Sequence, residues 1–164
     1  MNAIINKDNS ILYSFESDLD KYNDCKKYWN SQQTFNKLKL FNGALHKKID
    51  RISDIEDIQF NDEWYNEEKK AINNSKIIDI SNITDIDIII LDGGEYSTNN
   101  DYNILITKNP LVIILDDVNV NKCKKIRNRL LNNDIYDIYN EDLNDRNGWL
   151  SLIHISEPTR RTPI

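Results

Sequence analysis

Ile86-Asp87-Ile88-Ile89-Ile90-Leu91-Asp92-Gly93-Gly94-Glu95 is the stretch on which the fold turns. Ile86–Leu91 is a near-continuous run of mostly β-branched residues, and Asp92-Gly93-Gly94 closes it. A short apolar run bounded by a turn has the profile of a parallel strand covered on both faces by helices. An acid and two glycines directly after such a strand place a polar, close-approach turn at its carboxyl end.

Working outward, the same plan repeats. Thr98 is expected to cap a helix running to about Lys108, with Tyr102, Leu105 and Ile106 facing inward. Leu111–Leu115 is a second apolar strand, ending in Asp116-Asp117. Asn121–Asn133 spaces Cys123, Ile126, Leu130 and Leu131 along one helical side. Ile135–Tyr139 is a further strand, and Asn147-Gly148 reads as a turn into a strand beginning at Trp149.

Upstream, Ile11–Glu16 is expected to be a strand with an acidic end. Ser17 or Asp18 caps a helix over Asp18–Asn30, with Leu19, Tyr22, Cys25 or Lys26, and Trp29 at helical spacing. Lys37–Phe41 alternates and ends at Asn42-Gly43. Ile49, Ile52, Ile55 and Ile58 recur every third residue, consistent with a helix or with turns. Asp62–Asn73 is a helix with Trp64 and Ala71 to bury, and Lys76–Ile80 a brief extended segment.

Strands alternating with helices predict an α/β domain, Rossmann-like and doubly wound. Its sheet should be mostly parallel, with a late antiparallel hairpin from the helix-free Tyr139–Trp149 connection. About ten residues precede the first strand, and no G-x-G occurs. Such domains usually open with a strand and a glycine-rich turn, so the first strand is expected to be missing and the chain to be a fragment.

The length of 164 residues fits one domain. A net charge of −6 argues against a general nucleic-acid binder, which shows a basic face. No apolar run approaches the roughly 18–20 residues of a membrane span, and the amino terminus lacks a signal-peptide plan. A cytoplasmic protein with neither nucleic-acid nor membrane partners is expected. Cys25 and Cys123 form no CxxC pair, and both read as buried thiols.

Residues 150–164 stand apart. Pro158, Pro163, Arg160 and Arg161 crowd there. Leu150–Arg160 resembles the translation of a transposon-type sequencing adapter. The expectation is therefore a partial domain over residues 1–149 and a non-native tail over 150–164, which removes His154 from consideration as a catalytic group. His46 then stands alone and reads as structural or exposed.

Ligands of open α/β sheets bind beyond the carboxyl ends of the strands. Three predicted strands end there in acid, at Glu16, Asp92 and Asp116-Asp117. Glu16 could accept both ribose hydroxyls of a nucleotide-like cofactor, or simply charge the start of the next helix. Asp92, Asp116 and Asp117, on neighbouring strands, would repel unless a cation sits among them. Their hard oxygens suit Mg²⁺, or Ca²⁺ or Mn²⁺. Gly93 would let a ligand approach the backbone. Glu95 is a candidate general base, and Asn119 is a ligand or a turn residue.

In this order, strand–Glu16, Asn42-Gly43, Asp92-Gly93-Gly94-Glu95, Asp116-Asp117 and a late hairpin resemble class I S-adenosylmethionine-dependent methyltransferases. The likeness is greatest to the macrocin-type sugar O-methyltransferases and covers roughly residues 11–149. It implies S-adenosylmethionine as cofactor, with Glu16 on its ribose and Asp92 and Gly93 lining its site. It implies Mg²⁺ held by Asp92, Asp116 and Asp117 beside a small hydroxylated or sugar acceptor. Two features depart from the subgroup: the glycine-rich loop is absent, and Gly94 stands where a second Asp is common, followed by Glu95. The alternatives are a metal-dependent phosphoryl or nucleotide-sugar enzyme on the same layout, and a non-catalytic α/β binding module.

Overall fold

The computed structural model describes residues 10–31, 37–50 and 61–155. The chain divides into two compact units, Met1–Lys47 with Asn66–Ile80, and Lys48–Tyr65 with Ser81–Ile164. The repeat at Ile52, Ile55 and Ile58 lies outside the described residues, as do residues 156–164 of the expected tail.

In the first unit, β1 (Leu12–Glu16) pairs in parallel with β2 (Leu38–Asn42), setting Glu16 opposite Asn42. Phe15 stacks on Phe41 at 5.3 Å between ring centroids. Helix α1 (Leu19–Asn30) connects the strands. Its first N–H groups, those of Asp20 and Lys21, donate to Asp18 Oδ1 at 2.9 and 3.0 Å, the N-cap expected from the sequence.

The expected apolar face of α1 is not buried. No residue of the helix is buried, Leu19 is 59% exposed, and Cys25 is exposed rather than the buried thiol its spacing predicted. Only Tyr22 and Trp29 are half-buried. A two-stranded sheet offers a helix little surface to cover.

Helix α2 (Asp62–Asn74) crosses the division between the units. It buries Ile72, whereas Trp64, expected to be inward, is 58% exposed. Lys47 Nζ donates to the carbonyls of Ile72, Asn73 and Ser75. A cation there satisfies the last carbonyls of the helix and complements its dipole. Ala44 forms an isolated parallel bridge to Ile77, within the segment expected to be extended.

The second unit contains a four-stranded sheet in the order β3-β4-β6-β5. Its strands are β3 (Ile88–Leu91), β4 (Val112–Asp116), β5 (Tyr136–Asp142) and β6 (Trp149–His154). β3 and β4 are parallel and joined by α3 (Thr98–Leu105), which tightens into a 3₁₀ turn at Ile106–Lys108. Helix α4 (Asn121–Leu131) follows β4. The late antiparallel hairpin is present as β5–β6, and its second strand is inserted between β4 and β5.

Alternation fixes the core. Ile89, Leu91, Ile113, Leu115, Leu150 and Leu152 point to one face, where they meet Tyr102 of α3 and Cys123, Ile126 and Leu130 of α4. The other face carries Ile88, Ile90 and Ile153, each more than 40% exposed. β3 is therefore not covered on both faces, as its apolar run predicted. Among the described residues of this unit, both crossover helices lie on the same side.

The fold is mixed α/β. Its parallel pairs, β1–β2 and β3–β4, lie in separate sheets among the described residues.

Residues 150–154, which the sequence reading assigns to a non-native tail, form most of β6, the strand expected to begin at Trp149. Leu150 and Leu152 are fully buried, and burying each stabilises by about 1.5–3 kcal/mol. Whatever the origin of Trp149-Leu-Ser-Leu-Ile-His154, its apolar–polar alternation through Leu152 matches a half-buried strand. The strand runs across the boundary at residue 149.

Candidate acidic site at the carboxyl ends of β3 and β4

Parallel pairing sets Leu91 opposite Leu115. The next residues, Asp92 and Asp116-Asp117, therefore emerge side by side. Asp92, Asp116 and Asp117 each offer a carboxylate oxygen within 4.8 Å of the others, as the sequence led one to expect.

Asp117 sits in the left-handed region with φ 57°, which turns the chain sharply out of β4. Its side chain accepts from Asn147 Nδ2 at 3.1 Å. The following backbone is strapped to the hairpin loop, Val118 N–H to Gly148 O at 3.1 Å and Asn119 N–H to Asn147 O at 2.9 Å. Asn119 Nδ2 donates to Leu143 O at 2.8 Å, which makes it a turn residue.

The residue that sequence reasoning missed is Lys122. Its ammonium lies 2.7 Å from Asp92 Oδ1, 2.6 Å from Asp117 Oδ2 and 3.8 Å from Asp116 Oδ2. Its side chain is only 7% exposed. The signal was present. Lys122 stands four residues before Ile126 and eight before Leu130, on the buried stripe of α4, where a lysine is rare unless paired.

Burial opposes the charge on Lys122, but the hydrogen bonds to Asp117 and Asp92 outweigh it and push the pKa up to about 12. Burial also works against ionised Asp117. Hydrogen bonds from Lys122 and Asn147 and the charges of Lys122 and Arg146 overcome it, leaving the carboxyl below its usual range. Asp116 goes the other way. Burial and the neighbouring Asp117 and Asp92 charges raise its pKa against the pull of Lys122.

Glu95 follows Gly94 by one residue and reaches the amino end of α4. The N-cap position, Val120, supplies no side-chain bond. Glu95 lies near that end, where the backbone N–H groups of Lys122 and Asn121 favour its charged form. Burial nevertheless raises its pKa, with these groups and the Lys122 charge working in the opposite direction.

Gly93 is required sterically. A Cβ there would lie 2.7 Å from Thr98 Oγ1, whose hydroxyl donates to Gly94 O at 2.7 Å. Thr98 thus opens α3 as its first residue and ties the turn, where the sequence predicted it as the cap itself. Beside it, Tyr96 Oη accepts from Asn61 N–H at 2.9 Å, and Asn99 Nδ2 donates to Asp50 Oδ2 at 3.0 Å.

Glu16 belongs to the first unit. It ends β1, and its Oε1 accepts from Asp18 N–H at 2.9 Å, so part of its carboxylate organises the start of α1. His46 also lies in that unit.

Three hard carboxylate donors suit Mg²⁺ in number and kind. As arranged, however, the oxygens of Asp92 and Asp117 already bind an ammonium. The donor set fits a cation, and the cation in place is Lys122.

No protein-family model matches the chain, and no curated protein matches it. No helix among the described residues is long and apolar enough to cross a membrane.

Proposed function

We propose that the chain is part of an S-adenosylmethionine-dependent O-methyltransferase acting on a small hydroxylated or sugar acceptor. The observation that carries the reading is the convergence of Asp92, Asp116 and Asp117 at the carboxyl ends of adjacent parallel strands. The antiparallel β5–β6 hairpin added after them supports it further. In a sheet of this kind, that end is where ligands bind.

S-adenosylmethionine, when bound, supplies the methyl group to the acceptor oxygen. Gly93 would keep the β3–α3 turn open to close approach. Glu95, whose burial raises its pKa, would take the acceptor proton. The charged cluster at Asp92, Asp116, Asp117 and Lys122 would orient the acceptor hydroxyl by fixed electrostatics. No step in this reading passes through Mg²⁺.

The test is calorimetric titration with S-adenosylhomocysteine. Saturable binding is expected, and Asp92→Asn, which keeps an acceptor for Lys122, should weaken it about tenfold. Absence of binding to the unsubstituted chain would overturn the reading.

A further inference from the structure

The three carboxylates that could ligate a divalent cation are the ones that Lys122 touches. We propose that Lys122 is the resident cation of the Asp92–Asp116–Asp117 cluster and keeps a divalent metal out of it at millimolar concentration.

Several features hold the ammonium there. Two charge-assisted bonds, at 2.7 and 2.6 Å to carboxylates from two different strand ends, fix its head. Its stem is buried at the start of α4, next to Cys123 and one turn before Ile126, both fully buried. A cation at a helix amino terminus opposes the helix dipole, so the carboxylates, not the helix, keep it in place. A bound dication would leave this ammonium buried beside a second positive charge, a costly arrangement.

The inference deepens the proposed function in one respect. If methyl transfer occurs here, Lys122 performs the electrostatic task assigned to Mg²⁺ by the resemblance. Its test does not depend on that reading, because neither readout uses the cofactor.

Binding of Mn²⁺ is followed by electron paramagnetic resonance in the full chain and in Lys122→Met. The variant should bind at least about tenfold more tightly than the unsubstituted chain. A smaller difference, including silence in both, would overturn the proposal. The second readout is the ammonium resonance of Lys122 in the unsubstituted chain, which stands even if Lys122→Met fails to fold. Millimolar Mg²⁺ should leave it in place, and a shift or loss of that signal would overturn the proposal.

Discussion

Asp117 Oδ2 holds Lys122 Nζ at 2.6 Å from a residue whose own backbone is left-handed, φ 57°. A non-glycine residue in that region costs about 1–2 kcal/mol. A hydrogen bond to a charged group contributes about 1.5–3 kcal/mol. The strained turn persists because the bond it makes outweighs it. Three substitutions separate the terms. Asp117→Asn keeps a side chain that tolerates this backbone and should destabilise by about 1–3 kcal/mol through lost charge. Asp117→Gly relieves the strain as well as losing the bond, so it should cost less than Asp117→Ala. Urea unfolding of the three variants checks the order.

At alkaline pH the same pair should set a limit on stability. The folded chain holds the Lys122 proton more tightly than the unfolded chain, with a pKa near 12 against an ordinary 10.5. Its contribution is complete below the ordinary value and is lost as pH rises through the folded one. The shift corresponds to about 2 kcal/mol. Unfolding followed across that window should show a loss smaller by about this amount in Lys122→Met than in the unsubstituted chain, the remainder coming from Cys123 and Tyr136, whose burial also raises their pKa values to about 12.

Glu95 should show the opposite dependence. Its folded pKa is raised, mainly by burial, so ionising it works against the fold. Stability from this group therefore falls as pH rises from the ordinary carboxylate value through the raised one. Glu95→Gln should remove that slope. Chemical unfolding of the variant and the unsubstituted chain between acid and neutral pH checks this.

Gly93→Ala should destabilise by about 1–3 kcal/mol, because its Cβ would crowd a hydroxyl that is itself bonded to Gly94 O. Thr98→Ala removes the obstructing oxygen. The double variant should therefore lose less than the sum of the single losses. Strict additivity would show that the contact does not constrain the turn.

The strand at 149–154 can be tested by its two faces. Leu152→Ala should cost about 2–5 kcal/mol, as for a fully buried leucine. Ile153→Ala, on the exposed face, should cost well under half as much. Equal small effects would place this segment outside the sheet.

The parallel pair β3–β4 and the meeting of its terminal acids were legible because apolar runs and turn residues are local signals. The hairpin was legible for the same reason. Lys122 was not, since a lysine at helical spacing reads as a solvated charge until the partners of its ammonium are known. The open face of Ile88 and Ile90 was hidden too: an apolar run says that a strand is suited to burial on both sides, not that both sides are covered. Cys25 and Trp64 failed similarly, because helical periodicity names a stripe without showing what surface lies opposite. Residues 150–154 were set aside on composition, although their alternation carried a strand pattern.

The place of β6 also bears on how the chain is made. β5 pairs only with β6 among the described strands, and β6 fills the edge of β4 that would otherwise be open. During synthesis, residues 112–116 and 136–142 therefore leave the ribosome before the strand that joins them. Until residues 149–154 follow, the edge of β4 is a template for any other extended chain. A nascent chain stalled just short of Trp149 would present that edge and the uncovered side of the core together, and should be the species most prone to capture by chaperones or to self-association.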